Sequence, residues 1–169
     1  MNGYIKKTMA SGIFTAKIMP LKVHENIIVF GKDRVNYYPI KTQAPENLID
    51  KRKTINNSTA KNGGIYGGNK KFTLVRKKDD GTRYPLSVQE FKNSKNKNIH
   101  PTQKPVALCE YLIKTYTNEG ELILDNCIGS GTTAIAAMNT SRNYIGFEKD
   151  KTYFDIAQNR IDNHERLLD

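Results

Sequence analysis

The fold is decided by one stretch of the sequence, which reads Leu122-Ile-Leu-Asp-Asn-Cys-Ile-Gly-Ser-Gly-Thr-Thr-Ala-Ile-Ala-Ala137. Its short apolar run predicts a buried parallel strand that ends at Asp125. Gly129 and Gly131 predict a turn, and the alanine-rich residues 132–138 predict a helix. A strand, a glycine turn and a helix in this order are typical of the first unit of a nucleotide-type binding fold. Glycines let the backbone approach a ligand, and the start of a helix offers unpaired N–H groups.

A second predicted strand follows at Tyr144–Phe147, and Glu148 comes directly after it. An acidic residue at this place, about 20 residues after the glycine turn, is the expected partner of ribose hydroxyl groups. No Lys-Ser or Lys-Thr follows Gly131, which excludes a P-loop. Ala134 stands where a dinucleotide fingerprint has its third glycine, and alanine is tolerated there. A merely tight strand-to-helix corner would carry the same glycines, so the turn alone leaves both interpretations open.

A distinctive segment lies upstream and reads His100-Pro-Thr-Gln-Lys-Pro105. Proline suits the first turn of a helix, because its missing N–H has no partner there. Apolar residues then recur at three- and four-residue spacing, which predicts an amphipathic helix that ends at Asn118–Gly120. A last helix is predicted from about Thr152 to Leu167, with one apolar face for core packing. The apolar positions are Val106, Cys109, Leu112, Ile113 and Tyr116 in the first helix and Phe154, Ala157, Ile161 and Leu168 in the last.

Together, the upstream segment, the glycine stretch and Gly146-Phe147-Glu148 resemble the amino-methyltransferases of DNA. These are S-adenosylmethionine-dependent enzymes, many of them from restriction-modification systems, that methylate adenine N6 or cytosine N4. The motif order is similar to the beta group, in which the cofactor half follows the catalytic and target-recognition parts. The resemblance is dense over about residues 100–160 and looser over 8–32. It implies an α/β fold, namely an incomplete Rossmann-like methyltransferase fold with a basic, irregular α+β insert.

The resemblance implies a site for S-adenosyl-L-methionine. Thr102 and Lys104 would lie at the carboxylate end of this cofactor, where the lysine supplies a matching charge. In the alternative interpretation Thr102 only caps the helix and Lys104 is solvated. The implied cofactor-binding residues are Thr102, Lys104, Asp125, Cys127, Gly129, Gly131, Thr132 and Glu148.

The first part of the chain has one clear strand, His24–Phe30, which is rich in β-branched and aromatic residues. Residues 1–12 are polar and have little pattern. The His24-Glu25 pair lacks a further histidine or carboxylate at ligand spacing, so we expect no metal site. In the enzymes that the chain resembles, such a pair has an architectural or DNA-contacting role.

Positive charge is concentrated in the middle of the chain. The net charge is +10, and residues 41–99 hold 14 Lys and Arg against 5 Asp and Glu. Aromatic residues are interleaved with these cations, which suits contact with phosphates and bases, and the resemblance implies double-stranded DNA as the partner. A short strand is predicted at Lys71–Val75 and a turn at Arg76–Arg83. The alternative to DNA contact is a solvated, partly disordered insert. The resemblance places the target-recognition region here, and the candidate DNA-binding residues are Lys70, Lys71, Arg76, Lys77, Lys78 and Arg83.

In the resembling enzymes an Asp/Asn/Ser-Pro-Pro-aromatic segment holds the target amino group. This chain has six prolines, none of which are adjacent, so it contains no candidate catalytic residue of that kind. We therefore expect the C-terminal part of such an enzyme, with open sheet edges that need a second chain or a homodimer. The expected function is the S-adenosylmethionine-binding and DNA-binding part of a site-specific adenine-N6 methyltransferase. The alternatives are a non-catalytic DNA- or protein-binding remnant with a vestigial cofactor loop, or a truncated reading frame.

Length, apolar runs and cysteine content give the expectations for domain organisation, membrane spans and cellular compartment. The length of 169 residues allows one domain or slightly more, and we divide it into late sheet strands (1–35), a target-recognition insert (36–99) and a cofactor-binding half (100–169). No apolar run approaches 18 residues, so no membrane span is expected. Two cysteines, Cys109 and Cys127, make no disulfide framework, which favours free thiols in the cytoplasm of a bacterial or phage-type host.

Overall fold

The structure is a computed structural model, and it describes residues 2–11, 14, 16–49, 58–60, 72–74, 79–92 and 103–165. The chain divides into two compact units, of which the first comprises residues 1–40 and 85–169 and the second residues 41–84. The strands are β1 (Asn2–Ser11), β2 (Lys22–Ile28), β3 (Thr42–Gln43), β4 (Ser58–Ala60), β5 (Phe72–Leu74), β6 (Thr82–Arg83), β7 (Val88–Glu90), β8 (Leu122–Asp125) and β9 (Asn143–Gly146). The helices are α1 (Val106–Tyr116), α2 (Thr132–Asn139) and α3 (Lys151–Glu165), with a short 3-10 helix at Glu46–Leu48.

The first unit contains a three-stranded sheet with the order β2-β1-β7. β1 and β2 are antiparallel, with Ile5 opposite Glu25, whereas β1 and β7 are parallel, with Tyr4 opposite Val88. β2 corresponds to the predicted strand His24–Phe30. β1 was not identified from the sequence, because the ladders on both of its edges stabilise it and its own residues show no strong alternation.

The second sheet of this unit is the parallel pair β8 and β9, with Leu124 opposite Ile145 and Asp125 opposite Gly146. Their inward residues Ile123 and Tyr144 pack against the helices. One core cluster joins Ile113 of α1 to Ala136 and Ala137 of α2, and a second joins Ala134 and Ile135 of α2 to Ile161 of α3. The strand, turn, helix and strand predicted from residues 122–147 are therefore confirmed, with bounds that differ by one residue.

The opposite face of β8 and β9 is open in the described part of the chain. Leu122, Leu124, Ile145 and Phe147 are 58%, 65%, 45% and 59% exposed. Parallel strands are normally covered on both faces, so this is an unusual amount of exposed apolar surface for such a pair. Among the described strands, β8 and β9 also share no hydrogen bonds with the three-stranded sheet, which agrees with the open edges that the resemblance implies.

The helices follow the sequence prediction with one exception. Pro105 directly precedes α1. The helix ends at Tyr116, after which Thr117 N donates a hydrogen bond to Ile113 O at 2.9 Å. In α3, Ala157 and Ile161 are buried as predicted. Phe154 is 47% exposed, so its place on the buried face was predicted wrongly. The predicted apolar position Leu168 lies outside the described residues.

The second unit is built from two short antiparallel pairs, β3 with β6 and β4 with β5. β5 corresponds to the predicted strand Lys71–Val75. Of the predicted turn at residues 76–83, the described part turns at Asp79–Gly81, where Asp79 Oδ1 accepts a hydrogen bond from Gly81 N at 2.9 Å. Asp80 Oδ1 accepts hydrogen bonds from the side chain and backbone of Thr82, and these bonds lower the pKa of Asp80. Residues 82 and 83 are already extended as β6.

The division of the chain into residues 1–35, 36–99 and 100–169 stays a prediction; β7, from the middle range, pairs with β1. Within the described ranges, no helix has both the length and the apolar character that crossing a bilayer requires. Cys109 and Cys127 are free thiols, and Cys127 is exposed.

The packing predicts that Ile113 is more important for stability than Ile145, because Ile113 is only 7% exposed and Ile145 is 45% exposed. We expect Ile113→Ala to lower the free energy of unfolding by about 2–5 kcal/mol and Ile145→Ala by about 1 kcal/mol or less. Urea unfolding followed by circular dichroism measures both variants. Equal losses would contradict the described core.

Candidate functional site

The carboxyl ends of β8 and β9 meet at one edge of their sheet, and the loop after β8 crosses above this edge. Phe147 N donates a hydrogen bond to Asp125 O at 2.9 Å. Ile128 N then donates to Phe147 O at the same distance. Both strand ends and the glycine turn therefore form one local structure, in which Asp125 and Glu148 lie at neighbouring strand ends.

The carboxylate of Asp125 is held by the loop that follows it. Its Oδ1 accepts a hydrogen bond from Cys127 N at 3.0 Å, and its Oδ2 accepts one from Thr133 Oγ1 at 2.6 Å. Because each carboxylate oxygen has two lone pairs, both oxygens can accept a further donor from a ligand. Asp125 is partly buried, so its orientation is fixed while one side remains accessible.

Glu148 is held from the opposite side of the glycine turn. Its Oε2 accepts a hydrogen bond from Gly129 N at 2.9 Å, and its Oε1 accepts one from Asp150 N at 2.9 Å. The glutamate thus ties the turn after β8 to the segment after β9. The two carboxylates together supply several oriented acceptors at one edge of the sheet.

The glycine turn needs glycine for two reasons. Gly129 and Gly131 have φ values of +56° and +77°, which L residues with side chains rarely adopt. A Cβ atom added at Gly131 would also lie 3.3 Å from Cβ of Ala157 in α3. The turn is therefore pressed against α3, and Gly131 leads directly into α2.

Sequence reasoning missed Arg160, which lies on α3 beneath the same turn. Its Nη1 donates to Ser130 O at 3.0 Å and to Thr132 Oγ1 at 3.2 Å. Burial lowers the pKa of this guanidinium from its ordinary value. The only sequence signal is its position three residues after Ala157, at the margin of the buried face.

Two further contacts at the site were not predicted. Thr133 was not among the predicted binding residues, although its hydroxyl holds Asp125. Lys104 Nζ donates to Glu25 Oε2 at 2.7 Å, so the predicted cofactor residue is paired with a carboxylate of β2. Lys104 is therefore ion-paired and about half exposed, and its role in cofactor binding stays a prediction.

The structure describes seven of the eight predicted cofactor-binding residues and one of the six predicted DNA-binding residues. Thr102, Lys70, Lys71, Arg76, Lys77 and Lys78 lie outside the described residues. Arg83 belongs to the second unit, where its guanidinium donates to both carboxylate oxygens of Asp79 and to Leu48 O. The Asp79 carboxylate raises the pKa of Arg83. Roles of all these residues in binding stay predictions.

A family model described as N6_N4_Mtase, DNA methylase, matches residues 2–159. The chain belongs to this DNA methylase family. The match extends over the central basic region as well as the glycine turn. The resemblance found in residues 100–160 is thereby confirmed.

Three curated relatives of this methylase chain are type II methyltransferases. M.HpaI of Haemophilus parainfluenzae is 40% identical over 82 residues, which are 46% of this chain and 26% of the relative. M2.DpnII of Streptococcus pneumoniae is 46% identical over 63 residues, 37% of this chain and 24% of the relative. M.HindIII of Haemophilus influenzae is 43% identical over 68 residues, 40% of this chain and 22% of the relative. The matched stretch is thus about a quarter of each relative.

One solved structure of similar fold is the crystal structure of the M1.HpyAVI-SAM complex. The two chains are 25% identical and have a TM-score of 0.54. The match covers 95% of this chain and 60% of the chain in that crystal structure. The α/β fold predicted from the sequence, an incomplete Rossmann-like methyltransferase fold, is confirmed by this similarity together with the separate partial sheets.

The geometry of the turn predicts different costs for two glycine substitutions. Gly120 and Gly131 have nearly the same φ, +78° and +77°, but only Gly131 has a neighbour within reach of an added Cβ. We expect Gly120→Ala to destabilise by about 1–2 kcal/mol through backbone strain. Gly131→Ala should cost at least about 1 kcal/mol more, because α3 must shift. Urea unfolding compares the two, and equal costs would contradict the packing of the turn on α3.

Proposed function

We propose that this chain is the S-adenosylmethionine-binding and DNA-binding part of a site-specific DNA adenine-N6 methyltransferase. One observation carries the proposal: a DNA methylase chain holds two carboxylates, Asp125 and Glu148, at neighbouring strand ends on either side of a glycine turn. Ligands of open α/β sheets bind outside the carboxyl ends of the strands. The similar M1.HpyAVI structure is a complex with SAM, which supports the same ligand here.

The donor and acceptor groups of the site fit this cofactor. Glu148 has lone pairs left for the two ribose hydroxyl groups, because its oxygens accept only backbone N–H groups in the structure. Cys127 and Ile128, which follow Asp125, offer apolar contacts for an adenine ring. Gly129, Gly131 and Thr132 form the turn against which the ligand would lie, and we propose that Lys104 and Thr102 contact its carboxylate end. When bound, the cofactor supplies a methyl group on a sulfonium.

The chain's own residues would bind and orient the cofactor and would leave the amino group of the base without acceptors. An exocyclic amino nitrogen is a poor nucleophile. Methyl transfer to it therefore depends on placing the nitrogen in line with the methyl group and on acceptors that hydrogen-bond to the amino group. The target base must also be flipped out of the base stack of the DNA duplex. No two prolines are adjacent in this sequence, and we assign no catalytic residue to it.

A second polypeptide segment would then supply the acceptors. The open apolar face of β8 and β9 and the separation of the two described sheets support this, because both leave surface that a complete parallel sheet covers. The acceptors would come from polypeptide outside these 169 residues, such as a second chain, whereas a homodimer would cover open strand edges without supplying them.

Double-stranded DNA is the proposed partner of the basic region 41–99, whose cations would neutralise phosphates. The proposed contacts are Lys70, Lys71, Arg76, Lys77, Lys78 and Arg83. Asp79 already forms an ion pair with Arg83, so we expect the contribution of Arg83 to binding to be small. DNA binding without cofactor is the second candidate function. It is favoured by the internal hydrogen bonds of Asp125 and Glu148, which stabilise the turn without any ligand.

The cofactor proposal predicts that the 169-residue chain binds S-adenosylhomocysteine and that Glu148→Gln weakens this binding about tenfold. The loss follows from replacing a charged acceptor by a neutral one, a difference of about 1.4 kcal/mol. Glu121→Gln is the matched control, because Glu121 precedes β8 and therefore lies at the opposite edge of the parallel strand pair from Glu148. Isothermal titration calorimetry measures all three proteins. Absence of binding by the unchanged chain, or equal affinity in both variants, would contradict the proposal.

The DNA proposal predicts that Lys77→Gln with Lys78→Gln weakens retention of duplex DNA and lowers its salt dependence. The control, Lys149→Gln with Lys151→Gln, removes the same charge from the acidic C-terminal part and should change retention little. Filter binding at several salt concentrations measures both. Equal effects of the two variants would show that only net charge matters.

The same assay with labelled S-adenosylmethionine tests the absence of a catalytic segment. We expect no methyl incorporation into DNA above background when the chain acts alone. Incorporation by the purified chain would refute this part of the proposal.

A further inference from the structure

The glycine turn between β8 and α2 is held at its two central residues by side chains of opposite charge. The turn comprises residues 128–131 and is closed by a hydrogen bond of 3.0 Å from the N–H of its last residue to the carbonyl of its first. Gly129 N donates to Glu148 Oε2 at 2.9 Å. Ser130 O accepts a hydrogen bond from Arg160 Nη1 at 3.0 Å. An anion after β9 and a cation on α3 therefore fix two consecutive residues of the turn.

Arg160 also connects this turn to the helix that follows it. The same Nη1 atom donates to Thr132 Oγ1 at 3.2 Å, and Thr132 is the first residue of α2. A guanidinium keeps its charge and its planar set of five N–H donors at any ordinary pH. Ala157, on the same helix as Arg160, packs directly against Gly131. The helix α3 thus holds the turn both by packing and by hydrogen bonds.

The turn has one conformation only as long as Ser130 O keeps its donor. Ser130 is 3% exposed, so water cannot readily replace the guanidinium, and a buried carbonyl without a donor is unfavourable. The residues on both sides of Ser130 are Gly129 and Gly131, whose φ values are positive and whose backbones rotate most freely. Loss of the donor would therefore be relieved by rotation of the turn, which would take Gly129 N away from its carboxylate partner.

We propose that Arg160 is a positioning residue of the cofactor site and acts through the turn on the carboxylate of Glu148. The guanidinium keeps Ser130 O in place, and the turn then presents Gly129 N to Oε2 of the glutamate. This N–H orients the carboxylate toward the ribose hydroxyl groups. The inference rests on the proposed function, which assigns those hydroxyl groups to Glu148, and it adds a residue that does not touch the ligand.

A purely structural role for Arg160 makes a different prediction. In that case its loss would lower stability, and any effect on affinity would be independent of Glu148. The losses from two independent residues multiply when both are changed, whereas residues that act through one contact show a smaller combined loss. A double-mutant cycle of Arg160 and Glu148 therefore separates the two roles.

The cycle is measured by calorimetry with S-adenosylhomocysteine on the full 169-residue chain. We expect Arg160→Met to weaken binding about fivefold and Glu148→Gln about tenfold, and the double variant to lie within about twofold of Glu148→Gln. The matched control is Arg142→Met. Arg142 directly precedes β9, at the opposite edge of the strand pair, and its Nη2 also donates to a backbone carbonyl, Thr117 O, at 2.8 Å. The control should leave the affinity unchanged.

The amide proton of Gly129 reports the same contact without any ligand. A hydrogen bond to a carboxylate moves an amide proton downfield, so we expect this resonance to move upfield in both Arg160→Met and Glu148→Gln. Gly120 N donates to a backbone carbonyl, Ser141 O, at 2.8 Å, and its resonance is the internal reference that should not move. Arg160→Lys retains a charged donor but not the planar fork. It should give smaller changes of the same sign in the spectrum and in the affinity.

Losses that multiply in the double variant, an unchanged affinity in Arg160→Met, an equal loss in Arg142→Met, or an unmoved Gly129 resonance would each overturn the role of Arg160 and leave the cofactor proposal intact. Absence of binding by the unchanged chain would overturn the proposed function, and the Gly129 resonance would still decide whether Arg160 orients Glu148. Circular dichroism checks folding. If Arg160→Met does not fold, Arg160→Lys provides both measurements, and unfolding of both variants would overturn the inference.

Discussion

The parallel register of β8 and β9 is the constraint on which the site depends. It sets Asp125 level with Gly146, so that the chain leaves both strands at the same edge. The backbone bonds from Phe147 to Asp125 and from Ile128 to Phe147 then fold the loop over that edge. With the loop in this position, Gly129 N reaches Glu148. A shift of one residue in the register would turn the strands' side chains to the opposite faces and separate the two carboxylates.

The helices fix this arrangement from one side only. α2 continues directly from the glycine turn, and α3 holds the turn through Ala157 and through the hydrogen bonds of Arg160. The opposite face of the strand pair presents leucine, isoleucine and phenylalanine side chains to solvent. The described part of the chain thus forms one edge of a methylase fold, where we propose the cofactor site, and leaves an apolar surface open on the other face. Under the proposed function, binding and methyl transfer would belong to different segments.

Much of this edge could be predicted from the sequence, because its signals are local. An apolar run, two glycines, an alanine-rich segment and an acidic residue lie within residues 122–148, and each has a direct backbone meaning. Contacts between distant residues left no such signal. Glu25 and Lys104 are 79 positions apart, and Arg160 donates partly to a backbone carbonyl, which no residue type marks. β1 escaped detection because its stability comes from neighbours on both edges, and the exposure of Phe154 depends on what α3 packs against.

The proposed function requires an adenosyl ligand to occupy the space between the carboxyl ends of β8 and β9. A crystal structure of the chain grown with S-adenosylhomocysteine tests it most directly. The account predicts the ribose hydroxyl groups within about 3 Å of the Glu148 carboxylate, with the adenine ring beside Cys127 and Ile128. Density for the ligand elsewhere, or none at this edge at saturating concentration, would contradict it.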